Sequence, residues 1–124
     1  METNYKVALN ELIEAINGDE DMENLVQGMV KTCKSYVEQV DAMPRAIEMA
    51  KFRCNDTADF QAFVKQLDMA RRRTHDSLMG AVNAVIRLGN ALSVALIPQE
   101  FVSQLEEDRE NYYTFAKCVS AQCA

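Results

Sequence analysis

The sequence has little of what several classes of functional site require. It contains no Trp, one His, two Pro and four Gly among 124 residues. A di-iron bundle needs two Glu-x-x-His motifs and the zinc-protease helix needs two histidines, so a single histidine, His75, excludes both sites. Phosphate-binding Gly-rich loops and serine nucleophile elbows are also absent. We therefore predict no catalytic residue, no metal and no cofactor, and we expect that the protein is not an enzyme.

Long hydrophobic runs are missing as well. The longest stretch without a charge, residues 88–99, is too short to span a bilayer and contains Pro98. The N-terminus lacks the basic and apolar regions of a signal peptide. Four cysteines would suffice for two disulfides, but the chain has enough apolar residues to build a core, so we expect reduced thiols. These features predict a cytoplasmic protein that does not bind membranes.

Negative charge predominates, with 19 acidic and 13 basic residues and a net charge of −6. Nucleic acids and anionic lipids bind through neutralisation of their own negative charge, so this balance disfavours both partners. The basic run 71–73, followed by His75, does not change this expectation. Three consecutive helical residues spread over about 300°, and Asp68 and Asp76 are within ion-pairing distance along the helix. We expect no nucleic-acid binding.

Apolar residues recur every three or four positions along nearly the whole chain, which is the spacing of one helical face. Scarce Gly and Pro agree with this pattern and disfavour a turn-rich β fold. Turn and cap signals occur at Gly18, Pro44, Thr57 and Pro98. The predicted helices span residues 3–17, 19–41, 44–54, 58–95 and 98–121.

Helices with this period and short connections pack as near-antiparallel neighbours. The sequence therefore predicts an all-α fold, an antiparallel bundle of four to five helices within a single domain, 1–124. Its fourth helix, 58–95, is unusually long, and Gly80 or Gly89 could kink it. We predict a continuous helix, because a break would usually reset the phase of the apolar pattern.

Polar residues interrupt two of the apolar stripes. Arg71 and Thr74 occupy apolar positions in the long helix, and Arg109 does so in the last helix, one turn before Tyr112. A buried, unpaired charge is costly, so each Arg must reach water along its aliphatic stem or meet a carboxylate. Three interpretations stay open: a solvated helix edge, a polar layer that fixes register, or a site for an anion. Together with His75, these are the candidate site residues.

The long helix predicted over 58–95 is longer than its predicted neighbours. Unless the short helices cover the overhang, a second copy or a partner must do so. We therefore predict a protein–protein interaction or assembly module that acts through helix packing, with a homodimer as its natural form. The sequence resembles small helical proteins of bacteria, but no motif carries a function across.

Two other functions remain open. An anionic small molecule would be recognised between helices by Arg71, Arg109 and Tyr112. A nucleic-acid-associated regulator is the less favoured choice, because the chain is acidic.

Overall fold

The computed structural model describes residues 5–123, and over this range the chain forms five helices and no strand. The predicted all-α antiparallel bundle is confirmed. None of these helices is long and apolar enough to cross a membrane. The helices are α1 (Leu9–Ile16), α2 (Glu20–Arg53), α3 (Thr57–Ala91), α4 (Gln99–Glu107) and α5 (Arg109–Gln122).

Two long helices form the frame of the fold. α2 has 34 residues and α3 has 35, so each is about 50 Å long. A three-residue turn joins them, and the helices pack antiparallel against each other. The turn ends at Asp56, whose carboxylate accepts a hydrogen bond from the backbone N–H of Asp59 at 2.8 Å and so caps α3.

The prediction of a separate short helix that opens at Pro44 is wrong, because α2 passes through Pro44 without interruption and ends at Arg53. A proline inside a helix removes one hydrogen bond and crowds the preceding turn. Pro44 is exposed, so its ring does not disturb the contact with α3. The apolar stripe also continues in phase past it through Ile47 and Ala50. Packing along that stripe outweighs the local cost of the proline.

The longest predicted helix is confirmed as continuous, although it is third in the chain and not fourth. α3 includes both Gly80 and Gly89 and ends at Ala91, four residues earlier than predicted. The chain then turns back, and the Val94 N–H donates to the Gly89 carbonyl at 2.8 Å. A Cβ at position 89 would lie 2.5 Å from the Val94 carbonyl oxygen. This close approach of two backbone segments requires glycine.

We expect Gly89→Ala to destabilise the protein, because the added methyl group overlaps backbone that cannot move freely. The expected loss is about 1–3 kcal/mol. Gly80→Ala is the matched control, since a Cβ there meets no atom within 4 Å. It should stabilise α3 by about 0.5–1 kcal/mol, because alanine favours the helix over glycine. Urea unfolding of the two variants measures the difference, and equal effects would contradict the close approach at Gly89.

The prediction of one last helix over 98–121 is also wrong. α4 ends at Glu107 and α5 begins at Arg109, with Asp108 in an extended conformation between them. The Asp108 carboxylate accepts a hydrogen bond from the Glu110 N–H at 3.3 Å. Aspartate competes well as a helix N-cap, and this capping starts a new helix where the apolar spacing alone suggests continuity.

The first helix begins later than predicted. Residues 3 and 4 lie outside the described range, and residues 5–8 are not helical. Instead, the Ala8 N–H donates to the Leu96 carbonyl at 2.9 Å. Tyr5 is buried and places its ring edge-on against Phe101 and Phe115, with centroids 5.5 and 5.8 Å away. These tertiary contacts outweigh the helical pattern of the segment.

Candidate functional site

The far end of the α2–α3 hairpin extends beyond the other helices. The hydroxyl of Tyr113, at the start of the second turn of α5, donates to the Asp41 carboxylate. α5 runs from this level toward Lys34, whose ammonium donates to the Cys123 carbonyl at 3.0 Å. We name residues 42–67 the arm, and the other described residues the body. The arm consists of the last three turns of α2, the connecting turn and the first three turns of α3.

The apolar stripe of α2 is buried in the body and half-buried in the arm. Met29, Cys33 and Tyr36 are at most 2% exposed. Further along the same stripe, Met43 and Ile47 are only half-buried. Ala50 is the one buried residue of the arm. The stripe is therefore sequestered by α3 alone in the arm, whereas in the body the third layer formed by α5 completes its burial.

The arm also exposes large apolar side chains. Phe52 is 81% exposed, the highest value for a large apolar side chain in the described chain, and Met49 is 44% exposed. These two side chains are three residues apart on one face of α2. Phe63, on α3, is 36% exposed. Scattered single apolar residues are normal on a surface, but a group of this size at one end of a molecule is typical of an interaction site.

Charge distinguishes the arm from the rest of the chain. Residues 42–67 contain three acidic and four basic residues, a net charge of +1. The remainder of the chain has 16 acidic and nine basic residues, a net charge of −7. The arm is therefore the part of the molecule where close approach of a second copy meets the least electrostatic repulsion.

Polar and aromatic side chains meet at the base of the arm. Arg71 Nη2 lies 2.7 Å from Asp68 Oδ1, and Arg72 Nε lies 3.0 Å from Asp68 Oδ2. The Arg71 hydrogen bond is the main cause of the lowered pKa of Asp68, and the charges of Arg72, Arg71 and Arg109 make smaller contributions. The same bond, together with Tyr36, raises the pKa of the Arg71 guanidinium. The Arg71 side chain is only 16% exposed, so its largely buried charge is neutralised by its ion pair with Asp68.

Three rings contact one another beside this ion pair. The His75 ring lies between Tyr36 and Tyr112, with centroid distances of 5.8 and 5.1 Å. The Tyr112 ring is edge-on to the imidazole at 79°. Within residues 5–123, neither His75 Nε2 nor the Tyr112 hydroxyl has a hydrogen-bond partner. Burial raises the pKa of Tyr112, because its ionised form would lose solvation. The rings therefore link α2, α3 and α5 where the arm begins.

The structure brings most of the predicted site residues together. Arg71, His75 and Tyr112 lie in one cluster, and Arg109 is an exposed side chain near Asp68. Thr74 is directed elsewhere, since its hydroxyl donates to the Ala70 carbonyl of its own helix at 3.1 Å. Asp68 already neutralises Arg71, so an external anion would have to compete with it. The anionic-ligand function therefore stays a prediction without added support.

Replacement of Asp68 by Asn is expected to remove a pH-dependent part of the stability. The folded-state pKa of Asp68 is lowered, so its contribution is present above the unfolded pKa of roughly 3.9 and is lost as the pH falls through the folded value. The wild type should melt above the variant at pH 7, and the two curves should converge as the pH falls. Glu48→Gln is the control, since the ion pair that Glu48 forms with Lys51 is exposed. A Tm difference that persists at pH 2 would contradict the ion-pair explanation.

Sequence reasoning missed the exposed side chains of the arm. Met49 and Phe52 lie off the apolar stripe of α2, so periodicity assigns them to the solvent side. Their spacing of three residues is a weak signal of a second apolar face. The structure adds that no other described helix covers this end of the hairpin.

The described residues offer little for metal chemistry. In the range 5–123, no group of three or more His, Cys, Asp and Glu side chains is placed to hold a metal ion. All four cysteines are free thiols, and burial raises the pKa of Cys33 to about 12, with Cys123 adding to the effect. Cys33 therefore stays protonated at neutral pH and is a poor nucleophile.

Comparison with known proteins is informative at the level of the family. No curated protein and no solved structure matches the chain. A family model matches residues 2–105, which include the whole arm and nearly all of α4 but not α5. Because this match covers more than half of the sequence, the chain belongs to the family described as "Protein of unknown function (DUF3232)".

Proposed function

We propose that this protein is an assembly module that self-associates through its arm. Two copies pack arm against arm around a two-fold axis, so that two helical hairpins form a four-helix bundle. The observation that carries the proposal is the exposure of Phe52, 81%, next to a half-buried apolar stripe.

Burial of the arm supplies the driving force. Each large apolar side chain that leaves water contributes about 1.5–3 kcal/mol. A two-fold interface counts every side chain twice, because the same patch lies on both copies. Met49, Phe52 and Phe63 therefore provide six such side chains per dimer, in addition to the half-buried stripe.

Charge favours a second copy packed through the arm over one packed through the body. Two arms bring together net charges of +1, whereas two copies of the remainder of the chain would bring together net charges of −7. Arm residues of both signs, such as Glu48 and Lys51, also allow complementary pairs at the rim of the interface.

The role we propose is structural and not catalytic. No group in the polar cluster is arranged as a nucleophile with a base, and a packing function needs neither cofactor nor metal. Four free thiols are typical of a protein in a reducing compartment, so we propose that the protein acts in the cytoplasm.

Sedimentation equilibrium of the wild-type protein tests the proposal. We expect a species of twice the 14.0 kDa chain mass that dissociates on dilution. The dimer should persist in 0.5 M salt, because apolar burial is not screened. A species of 14.0 kDa at all concentrations up to 100 µM would contradict self-association.

A further inference from the structure

A groove of about 700 Å³ lies between α1 and the first half of α2, in the body and away from the arm. Small-molecule sites in proteins commonly have volumes of roughly 300–1,000 Å³. The apolar side chains that line the groove come from both helices: Leu9, Ile13, Ile16, Val26 and Val30. Ile13 is 49% exposed, so the groove is open to solvent along one side.

The two ends of the groove differ in charge. Glu23 and Asn24 line it near the start of α2, and Lys31 and Lys34 line it about two to three turns further on. Eleven residues separate Glu23 from Lys34, which corresponds to about 16 Å along the helix. One leaflet of a bilayer has roughly the same depth, half of its ~30 Å hydrocarbon core. The groove therefore has the length of one extended acyl chain.

Two lysines, Lys31 and Lys34, lie at this end of the groove. Within residues 5–123, neither Lys31 nor Lys34 forms an ion pair, although the chain carries a net charge of −6. Lys34 donates one hydrogen bond to the Cys123 carbonyl, which closes that end of the groove. This contact satisfies one carbonyl at the C-terminus of α5, and an ammonium group can donate up to three hydrogen bonds.

The middle of the groove is kept open by a helical glycine. Gly28 lines the groove in the interior of α2, where glycine disfavours the helix relative to alanine. A Cβ at this position meets no atom within 4 Å, so no contact inside the described chain requires glycine there. A larger side chain at position 28 is therefore compatible with the fold and would occupy space beside the groove.

From these observations we infer that the groove binds a long-chain aliphatic carboxylate. The alkyl chain lies on Ile13, Val26 and Val30, and the carboxylate accepts hydrogen bonds from Lys31 and Lys34. Glu23 at the opposite end repels the carboxylate and so fixes the orientation of the ligand. This site does not depend on self-association through the arm.

Isothermal titration calorimetry with dodecanoate, below its micelle concentration, tests the inference. We expect one site per chain and a rise in Tm with ligand concentration. Hexanoate should bind at least tenfold more weakly, because a shorter chain buries less apolar surface. Dodecyltrimethylammonium should also bind at least tenfold more weakly, because its charge is opposite. Equal binding of the cationic chain would overturn the carboxylate assignment.

Two glycine variants locate the site. Gly28→Met is expected to weaken dodecanoate binding at least tenfold by filling the groove. Gly80→Met, on α3, is the matched control, since both glycines are exposed helical positions with open space at the Cβ. Binding by Gly28→Met at wild-type affinity would overturn the inference.

Substitutions of Lys31 and Lys34 test whether their charges contribute to dodecanoate binding. Lys31→Gln removes an exposed ammonium and should weaken dodecanoate binding about fivefold. Unchanged affinity in this variant and in the Lys31→Gln/Lys34→Gln double variant would overturn the role of the lysines. Sedimentation of the same samples measures self-association through the arm independently of ligand binding. A monomer that binds dodecanoate would contradict only the proposed dimer. A dimer that does not bind dodecanoate would contradict only the proposed carboxylate site.

Discussion

A variant in which Met49 and Phe52 are both replaced by Gln is expected to stay a 14.0 kDa monomer at concentrations where the wild type is a dimer. Both side chains lie on the exposed face of α2 in the arm, and each occurs twice in a two-fold interface. The loss of four buried apolar side chains at about 1.5 kcal/mol each weakens the dimer more than a thousandfold. Sedimentation velocity over a hundredfold concentration range measures the shift.

The body supplies the control for this variant. Met79 on α3 is 37% exposed, close to the 44% of Met49, but it lies outside the arm. Met79→Gln should therefore leave the dimerisation constant unchanged. Neither change touches the buried core. At concentrations low enough for the wild type and both variants to be monomeric, circular dichroism should therefore show the same helix content and nearly the same Tm for all three proteins. A double variant that dimerises as tightly as the wild type would show that the arm is not the interface.

The second large effect is expected in the core of the body. Replacement of Phe115 by Ala should lower the free energy of unfolding by about 3–5 kcal/mol, since Phe115 is 0% exposed. Its ring meets the edge of the Tyr5 ring, so the substitution also loosens the N-terminal segment. A domain of this size has a total stability of about 5–15 kcal/mol, and the Tm should fall by more than roughly 10 °C.

The Phe115 prediction also tests whether α5 is part of the folding unit. α5 lies beyond the region that the family model matches, yet it packs on α2 over the core of the body. Phe63→Ala, in the arm, is the comparison, because Phe63 is 36% exposed and leaves no enclosed cavity. In the monomer it should cost less than about 1.5 kcal/mol. Equal losses for the two variants would mean that α5 contributes little to the core.

The polar cluster at the base of the arm illustrates what spacing can and cannot predict. Arg71 and Tyr112 are conspicuous in the sequence because a charge and a phenol occupy positions of apolar stripes. Tyr36 and His75 join this cluster because α2, α3 and α5 have a particular rotation about their axes and a particular displacement along them. Sequence spacing shows which residues share one face of a helix, but it does not give the displacement of that helix along its axis relative to a neighbouring helix.

Helix ends show a similar division. The apolar period runs in phase through both Pro44 and Asp108, yet α2 continues at the first and the chain breaks at the second. An exposed proline ring is tolerated where the stripe stays packed on α3. An aspartate that caps the next helix ends α4, although Leu105 and Tyr112 on either side are both buried. Local signals of similar strength therefore had opposite outcomes, and tertiary packing decided between them.

The amino-acid order by itself determined that the chain is helical and which face of each helix is apolar, because these properties follow from residue spacing along a single helix. Only the tertiary structure decided that α5 covers half of the hairpin, that the arm is left with Phe52 exposed, and that Lys31 and Lys34 border an apolar groove. Coverage is a relation between elements distant in sequence, and it depends on where each helix ends and at which level it packs.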